Sequence, residues 1–279
     1  MKIPASEPRS PERLRFHYEV EKELALRIRN AGKQERLGLY RTVYDELFLR
    51  VLDHPQVTAP KRASHKFKVT SQIQLVRPFL NSETSFLEIG GGDCALSFAV
   101  APLVNSAYGL DVTDRLVPHP APPNFKLLLS DGSSIPLPSN TVDLCFSFSV
   151  VEHIHGDDFI DHLVEVQRVL RPGGVYYCIT PNKLVGPHDV SRYFDDVATG
   201  FHLKEYSVGD VANLYRRAGF GEIWIDKRWR SHRFRIPVAA MQAVEACLSV
   251  LPARIRTRLG TKRAIYWAME VCIAGRKRA

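Results

Sequence analysis

Residues 85–94 read SFLEIGGGDC, and this stretch decides the fold. It opens with an apolar run over 86–89, which is typical of a parallel strand buried on both faces. Three consecutive glycines follow at 90–92, and apolar residues then recur at helical spacing over 95–103. The order strand, glycine turn, helix predicts a ligand site. A backbone without Cβ atoms lets a ligand approach closely, and the helix directs its amide groups and positive dipole end towards that ligand.

A carboxylate next to this turn narrows the choice of ligand. Gly90, Gly92 and Ala95 satisfy the dinucleotide fingerprint G-x-G-x-x-G/A, with Asp111 roughly 20 residues further on. A purely structural glycine turn between a strand and a helix can have the same sequence. Glu88, however, precedes the first glycine by two residues, where it would repel a pyrophosphate. A ligand that carries an ammonium and a sulfonium, such as S-adenosylmethionine, suits it better.

With Glu88 included, the turn resembles the first motif of the class I S-adenosylmethionine-dependent methyltransferases, E/D-x-G-x-G-x-G, with Cys94 in place of the third glycine. SIPLPSNTVDLCFSFSVVEHI, over residues 134–154, resembles the fourth-strand region of that family. RVLRPGG, over 168–174, stands before a hydrophobic strand as it does in the family. The resemblance covers residues 85–180 and is closest to the small-molecule, type 11 methyltransferases.

This resemblance implies an α/β fold with a Rossmann-like, doubly wound sheet. The sheet is expected to be mostly parallel with one antiparallel C-terminal strand, helices on both faces and an N-terminal helical lid. We assign residues 1–80 to that helical extension and 81–279 to the methyltransferase domain, with insertions at 181–206 and 227–265. The predicted strands are 86–89, 107–112, 125–129, 142–148, 175–180, 221–225 and 268–274. The predicted helices include 11–30, 40–51, 71–80 with Ser71 as its cap, 160–170, 207–217 and one that starts at Pro237.

S-adenosylmethionine is the cofactor that the resemblance implies. Asp111, at the end of the second strand, would accept hydrogen bonds from both ribose hydroxyls. Asp131, after the third strand, would receive the adenine amino group, although a turn aspartate is the alternative. The predicted cofactor-binding residues are Glu88, Gly90, Gly91, Gly92, Asp111, Val112, Asp131, Gly132 and Ser149.

The predicted catalytic residues are histidines. Methyl transfer from a sulfonium releases a neutral thioether, so the enzyme supplies mainly alignment and a dry site. A protonated nucleophile also needs a general base, and His153, His188 and His202 are the candidates; a hydrogen-bonded structural histidine is the alternative for each. We favour His188, since Asp189 beside it could orient its ring. His202 and Glu205 have the helical spacing of metal ligands, but further ligands cannot be assigned, so no metal is predicted.

The charge of the chain is concentrated near its end. The 279 residues carry a net charge of +8, yet residues 226–279 contain 13 Lys or Arg against 3 Asp or Glu. Such a segment favours anionic partners such as a phospholipid or a nucleotide-linked group, although a solvated basic face is the alternative. We therefore expect a small-molecule methyl acceptor, anionic or lipid-linked. Nucleic acid is not expected, because no known RNA-binding motif is present.

Other features exclude some classes of protein. No apolar run reaches transmembrane length, and the first residues lack the apolar core of a secretory signal. The five cysteines are widely spaced, which is typical of reduced thiols in a cytoplasmic protein. Two other functions stay open: an NAD-dependent oxidoreductase, and a non-catalytic protein of the same fold that associates with anionic surfaces. The acids Glu88, Asp111 and Asp131 argue against the second.

Overall fold

An eight-stranded sheet forms the centre of the computed structural model, which describes residues 3, 7–58, 63–229 and 232–279. Its strands are β1 (Ser85–Ile89), β2 (Ser106–Asp111), β3 (Phe125–Leu129), β4 (Val142–Phe148), β5 (Leu170–Thr180), β6 (Phe220–Trp229), β7 (His232–Ile236) and β8 (Val271–Lys277). They lie in the order β3-β2-β1-β4-β5-β8-β6-β7. The first five strands are parallel to one another, and β8 is antiparallel to both β5 and β6. The predicted doubly wound sheet with an antiparallel C-terminal strand is confirmed.

Helices cover both faces of the sheet, as predicted. They are α1 (Pro11–Asn30), α2 (Lys33–Arg50), α3 (Pro55–Thr58), α4 (Ala63–Val76), α5 (Ala95–Val100), α6 (Phe159–Val169), α7 (Val208–Arg217), α8 (Val238–Ser249), α9 (Ala253–Gly260) and α10 (Arg263–Met269). Helices α6, α7 and α8 pack on one face of the sheet, and α4 and α5 on the other. None of the helices in the described ranges combines the length and the apolar composition that crossing a bilayer requires.

Several element boundaries differ from those predicted. Ser71 does not cap a helix: it lies inside α4, where its hydroxyl donates to the carbonyl of Phe67. The C-terminal strand begins at Val271 rather than at residue 268, because α10 extends to Met269. Strand β6 continues to Trp229 since it pairs with β7, an additional antiparallel strand that was not predicted.

The alternation of side chains along β1 separates its residues between the two faces. Leu87 and Ile89 pack in the core under α6 and α7, whereas Phe86 packs in the core under α4 and α5. Because successive side chains of a strand point to opposite faces, Glu88 shares the face of Phe86. This places a carboxylate beside α5 rather than in the larger apolar core.

Helices α1 and α2 pack together against the residues that follow β2. Their apolar side chains form one cluster with Val112 and with Phe201 from the 181–206 insertion. Helix α2 is interrupted at Leu37 and Gly38, where Gly38 adopts a φ of +85°. The amide of Gly38 donates to the carbonyl of Asp131 over 3.0 Å, so the break ties α2 to the loop after β3.

A buried ion pair joins α2 to the start of α6. Arg36 donates from Nε and Nη2 to the two carboxylate oxygens of Asp158, over 2.7 and 2.6 Å. Both side chains are less than a tenth exposed. The same two helices are joined at the surface by Lys33 and Asp161, whose Nζ and Oδ2 lie 2.7 Å apart with the side chains 64% and 39% exposed. The two pairs differ mainly in burial.

We predict that Arg36→Ala lowers the free energy of unfolding by about 3–5 kcal/mol, because it leaves the Asp158 carboxylate buried without its partner. Lys33→Ala removes the surface pair and should cost about 0–1 kcal/mol. Urea denaturation of both variants, compared with the parent protein, measures the difference. If both variants lose the same free energy of unfolding, burial does not determine how strongly an ion pair stabilises the α2–α6 contact.

Candidate functional site

A cleft opens where β1, β2 and β4 end, and we call it the first cleft. It encloses about 860 Å³ of space, its open mouth included, which is the size of a small-molecule site. Its walls come from the glycine turn, the ends of β2 and β4, the 130–134 loop and the side chains of Tyr40, Tyr44 and Phe48 on α2. Parallel strands bring their carboxyl ends to the same edge of the sheet, which is where ligands bind in open α/β sheets.

The glycine turn leaves no room for a side chain at its first position. Gly90 has a φ of +66°, and a Cβ atom there would lie 2.4 Å from Cγ2 of Val150. Its amide donates to the carbonyl of Leu110 over 2.7 Å, which docks the turn on β2. Cys94, in the position of the third glycine, adopts a left-handed φ of +54°. The backbone therefore takes the glycine-like conformation even where the sequence departs from the motif.

Asp111 lines the first cleft and holds the turn in place. Its Oδ2 accepts from the amide of Gly92 over 2.8 Å, and its Oδ1 accepts from the amide of Val112 over 2.7 Å. Burial raises the pKa of this carboxyl, although these amide bonds oppose the rise. A carboxylate fixed by backbone amides at the mouth of a cleft is a rigid acceptor for hydroxyl groups.

The loop after β3 lines the first cleft, but the Asp131 carboxylate is not part of that lining. Oδ1 of Asp131 accepts from the amides of Ser133 and Ser134 over 2.9 and 2.8 Å, as a turn aspartate does. Despite partial burial, these bonds lower its pKa. Gly132, with a φ of +97°, lines the cleft, and a Cβ atom there would lie 2.3 Å from the ring of Tyr40. Ser149 also lines the cleft.

Glu88 does not line the first cleft. It lies in a second cleft, which adjoins the first at Gly90. Its Oε2 accepts from the amide and the hydroxyl of Ser97 in α5, over 2.8 and 2.7 Å. The Ser97 amide belongs to the first turn of α5, whose amides we expected to point at the ligand. Glu88 accepts its hydrogen bond instead. Burial raises the pKa of Glu88 to about 7.

Charged groups of both signs line the second cleft. Lys68 of α4 lies there with its Nζ 4.0 Å from the centre of the Phe148 ring. Burial lowers the pKa of Lys68, while Glu88 and Asp93 oppose that change. His65 pairs with Asp93 over 3.1 Å. A cleft that presents an ammonium and carboxylates together matches a zwitterion.

A third cleft lies on the other side of Lys68 and Phe148, at the ends of β4 and β5. Its charged lining residues are Lys68, Asp226, Lys227, Arg228, Arg263 and Glu270. Four of these six side chains are cationic. Three aromatic residues, Phe67, Phe148 and Trp267, contribute to the apolar part of the wall. The Lys61 and Arg62 side chains of the preceding basic segment lie outside the described residues.

Of the three predicted catalytic histidines, the structure brings His153 and His202 together, with their ring centres 5.0 Å apart, and places His188 in a different environment. His153 lines the first cleft, and its Nδ1 lies 2.9 Å from the carbonyl oxygen of Phe201. Burial lowers the pKa of His153 to about 3, so its ring is neutral. His202 is buried 2.7 Å from Glu205, and despite the burial the carboxylates around it raise its pKa to about 9.

His188 lies in a different environment from the one expected. Its Nε2 donates to the carbonyl of Asn182 over 3.0 Å, and burial lowers its pKa. The Asp189 carboxylate does not orient this ring: it accepts instead from Ser191 and from the amide of His202. His188 lines none of the three clefts. Its role as a base stays a prediction.

Two groups near the site were missed in the sequence. Glu152 is fully buried at the end of β4, where its Oε2 accepts from Thr180 over 2.8 Å. Arg29 of α1 donates to the carbonyls of Thr199, Gly200 and His202 over 2.8, 3.1 and 3.1 Å, and so holds the loop that carries His202. The acidic Glu152 was visible inside VVEHI, but nothing local signals the contact of Arg29, whose partners lie about 170 residues away along the chain.

Comparison with known proteins agrees with this geometry. Residues 87–178 match the family model described as a methyltransferase domain. Over 136 residues, 48% of this chain and 51% of the relative, the sequence is 31% identical to a Mycolicibacterium smegmatis protein named "probable S-adenosylmethionine-dependent methyltransferase". The chain spans about half the length of the curated relatives it matches.

Solved structures share the fold at low sequence identity. One is a chain in the complex between the Haloferax volcanii Trm112 methyltransferase activator and a methyltransferase, with TM-score 0.54, 17% identity, and 76% of this chain and 90% of that one covered. Another is an S-adenosylmethionine-dependent methyltransferase of Thermotoga maritima, with TM-score 0.52, 14% identity, and 94% and 100% covered. Residues 87–178 therefore match a methyltransferase domain, and the motif order over 85–180 agrees with that match.

Proposed function

We propose that this protein transfers a methyl group from S-adenosylmethionine to a small-molecule acceptor. The observation that carries the proposal is the arrangement of two adjoining clefts around Gly90. One has a rigid carboxylate, Asp111, at the end of β2, and the other has Lys68 and Glu88 together. S-adenosylmethionine consists of a nucleoside and an amino acid joined through one sulfur atom. Its two halves match the first and the second cleft in turn, and its charged groups match the charges that line them.

The first cleft suits the adenosine half of the donor. Asp111 can accept from the ribose hydroxyls, while the backbone of the 130–134 loop, with Gly132, can meet the adenine edge. Tyr40 and Tyr44 supply flat apolar surfaces from α2. Aromatic side chains bury large areas at low entropic cost, so α2 acts here as a cover for the base.

The second cleft suits the amino-acid half. The Glu88 carboxylate can pair with the donor ammonium, and the Lys68 ammonium with the donor carboxylate. Opposite charges at such short range in a partly buried cleft attract strongly. The same Glu88 disfavours the NAD-dependent alternative, because a pyrophosphate at the glycine turn would face a buried carboxylate.

The third cleft suits the methyl acceptor. It touches Phe148 and Lys68, which also line the second cleft, so an acceptor there lies next to the bound donor. Its cationic excess favours an acceptor with an anionic group such as a carboxylate or a phosphate. The transfer itself disperses the sulfonium charge, so the protein contributes mainly alignment and exclusion of water. Of the three candidate bases, His153, His188 and His202, His153 is the one that lines the first cleft.

We predict that Asp111→Asn weakens binding of S-adenosylhomocysteine roughly 10- to 100-fold, since charge-assisted hydrogen bonds contribute about 1.5–3 kcal/mol. Isothermal titration calorimetry measures the affinity. The near-isosteric change can keep the acceptor for the Gly92 amide, while its NH2 group replaces the oxygen that accepts from the Val112 amide. Asp114→Asn, the same change at an exposed position outside the cleft, is the matched control and should bind normally. Unchanged affinity in Asp111→Asn, or tight binding of NAD by the parent protein, would contradict the proposed donor site.

We also predict that donor affinity rises about fivefold between pH 6 and pH 7, below the pH at which the donor's own α-ammonium loses its proton. Glu88 has a pKa of about 7, and only its ionised form, which prevails above that pH, attracts the donor ammonium. Glu88→Gln should remove the dependence. Asp93→Asn, which deletes the other carboxylate of the second cleft, should keep it. If Glu88→Gln keeps the pH profile of the parent protein, the donor ammonium does not pair with Glu88.

For the acceptor, we predict that Arg263→Glu raises KM roughly tenfold for anionic acceptors and leaves kcat nearly unchanged, because it reverses one of the cleft's charges without touching the donor site. Pairs of candidate acceptors that differ only in one phosphate or carboxylate group provide the assay. Arg254→Glu, an exposed reversal on α9 outside the cleft, serves as the control. A preference for the neutral member of each pair would exclude an anionic acceptor.

A further inference from the structure

Glu152, His153 and His202 form a compact group between the first cleft and the 181–206 insertion. One donor atom from each of the three side chains lies within 4.8 Å of the other two. Glu152 and His153 belong to a short 3₁₀ turn after β4, and His202 belongs to the loop that Arg29 holds. The fold therefore brings together two imidazoles and one carboxylate from segments about 50 residues apart.

The hydrogen bonds of the two rings determine which nitrogen is free. Nδ1 of His153 faces the carbonyl oxygen of Phe201, and Nδ1 of His202 faces the carboxylate of Glu205. Both partners can only accept, so each Nδ1 carries a hydrogen. In a neutral ring this leaves the lone pair on Nε2. In both rings Nε2 is thus the nitrogen that can bind a metal ion, and at His202 the ion would displace the Nε2 proton of the protonated ring.

Another histidine cluster shows the opposite arrangement. His17 and His54 both approach Glu21 through Nε2, over 2.7 and 3.5 Å. Their Nδ1 atoms accept from the guanidinium of Arg9 and the amide of Gln56, groups that can only donate. Each Nε2 therefore carries a hydrogen that is directed at Glu21. This cluster is a closed hydrogen-bond network without a lone pair for a metal.

An unpaired oxygen points to a missing partner in the first group. Glu152 is fully buried, and its Oε2 accepts from Thr180, but its Oε1 has no hydrogen-bond partner among the described residues. Leaving a buried carboxylate oxygen unpaired is costly. A cation bound at this oxygen would supply the partner.

The surrounding charge also favours a cation. Glu152, Glu205 and Asp189 all act electrostatically on His202. Arg29 of α1 donates to the backbone carbonyls of residues 198, 199, 200 and 202, and its charge also acts on Asp189. Three carboxyl groups thus surround the His202 ring and favour a cation there, whether that cation is the ring proton or a metal ion that replaces it.

We infer that Glu152, His153 and His202 form a binding site for a divalent transition-metal ion such as Zn²⁺. Two imidazole nitrogens and one carboxylate oxygen are a common donor set for zinc, with the fourth position left to water or an oxygen ligand. Glu205 and the Phe201 carbonyl are the outer partners that fix each ring through Nδ1, as they do around metal-bound histidines. His153 reaches the wall of the first cleft, which provides an approach for the ion. No metal was predicted from the sequence, because the partners of His202 are distant along the chain.

Metal binding can be measured without any methyl acceptor, so the result does not depend on the proposed methyl transfer. Chelator-treated protein is titrated with Zn²⁺ by calorimetry and with Co²⁺ by absorption spectroscopy. We expect one ion per chain and the visible d–d bands of nitrogen- and oxygen-ligated Co²⁺. Glu152→Gln and His202→Gln should weaken binding at least 100-fold, and Glu205→Gln 10- to 100-fold as an outer partner.

His54→Gln is the matched control, because it removes a buried histidine from the closed network and should leave Zn²⁺ affinity unchanged. If the ligand variants do not fold, X-ray absorption of the Zn²⁺-loaded parent protein decides the question, since the site requires two imidazole ligands. The inference is overturned if the folded parent protein binds no stoichiometric Zn²⁺, if the bound ion has no imidazole ligands, or if folded Glu152→Gln and His202→Gln bind as the parent does.

Discussion

The hydrogen bond from the Gly92 amide to the Asp111 carboxylate, 2.8 Å long, is the contact on which the shape of the first cleft depends. It connects the glycine turn after β1 with the end of β2, two strands that are already paired in parallel register from Ser85 to Ile89. The turn also packs against Val150 after β4, so closely that a Cβ atom at Gly90 would collide with it. Three strand ends are thus fixed relative to one another, and a carboxylate is held at the point where they meet.

Local pattern was enough to predict much of this edge of the sheet. Apolar runs predicted the strands over 125–129 and 142–148, and the structure has them at those positions. A capping pattern predicted the helix start at Ser207, where Ser207 and Asp210 bond reciprocally. Such signals are local because they depend on backbone geometry and on side chains a few residues apart. Strand β7 was missed because its residues, HRFRI, are largely exposed and basic and gain their structure from pairing with β6.

The candidate site was harder to predict, because its chemistry depends on which face a side chain takes and on distant partners. Glu88 was predicted to bind the cofactor beside the glycine turn. Its carboxylate bonds to Ser97 and lines the second cleft rather than the first. His188 was preferred for its neighbour Asp189, yet residues adjacent in an extended loop rarely face each other. The Asp189 carboxylate bonds to Ser191 and to the amide of His202 instead. The expected pairing of His188 with Asp189 was therefore wrong, while the role of His188 stays a prediction.

His153 connects the two parts of the molecule that the domain assignment treats separately. Its ring lines the first cleft, lies 6.3 Å from the Tyr44 ring of α2, and bonds through Nδ1 to the Phe201 carbonyl of the insertion. The Phe201 amide in turn donates to Glu21 of α1 over 3.2 Å. Any ion held by His153 and His202 would therefore tie the insertion and both N-terminal helices to the end of β4. Because a ligand of the folded state stabilises every contact that its site requires, order in the cover of the donor cleft would then depend on occupancy of the inner site.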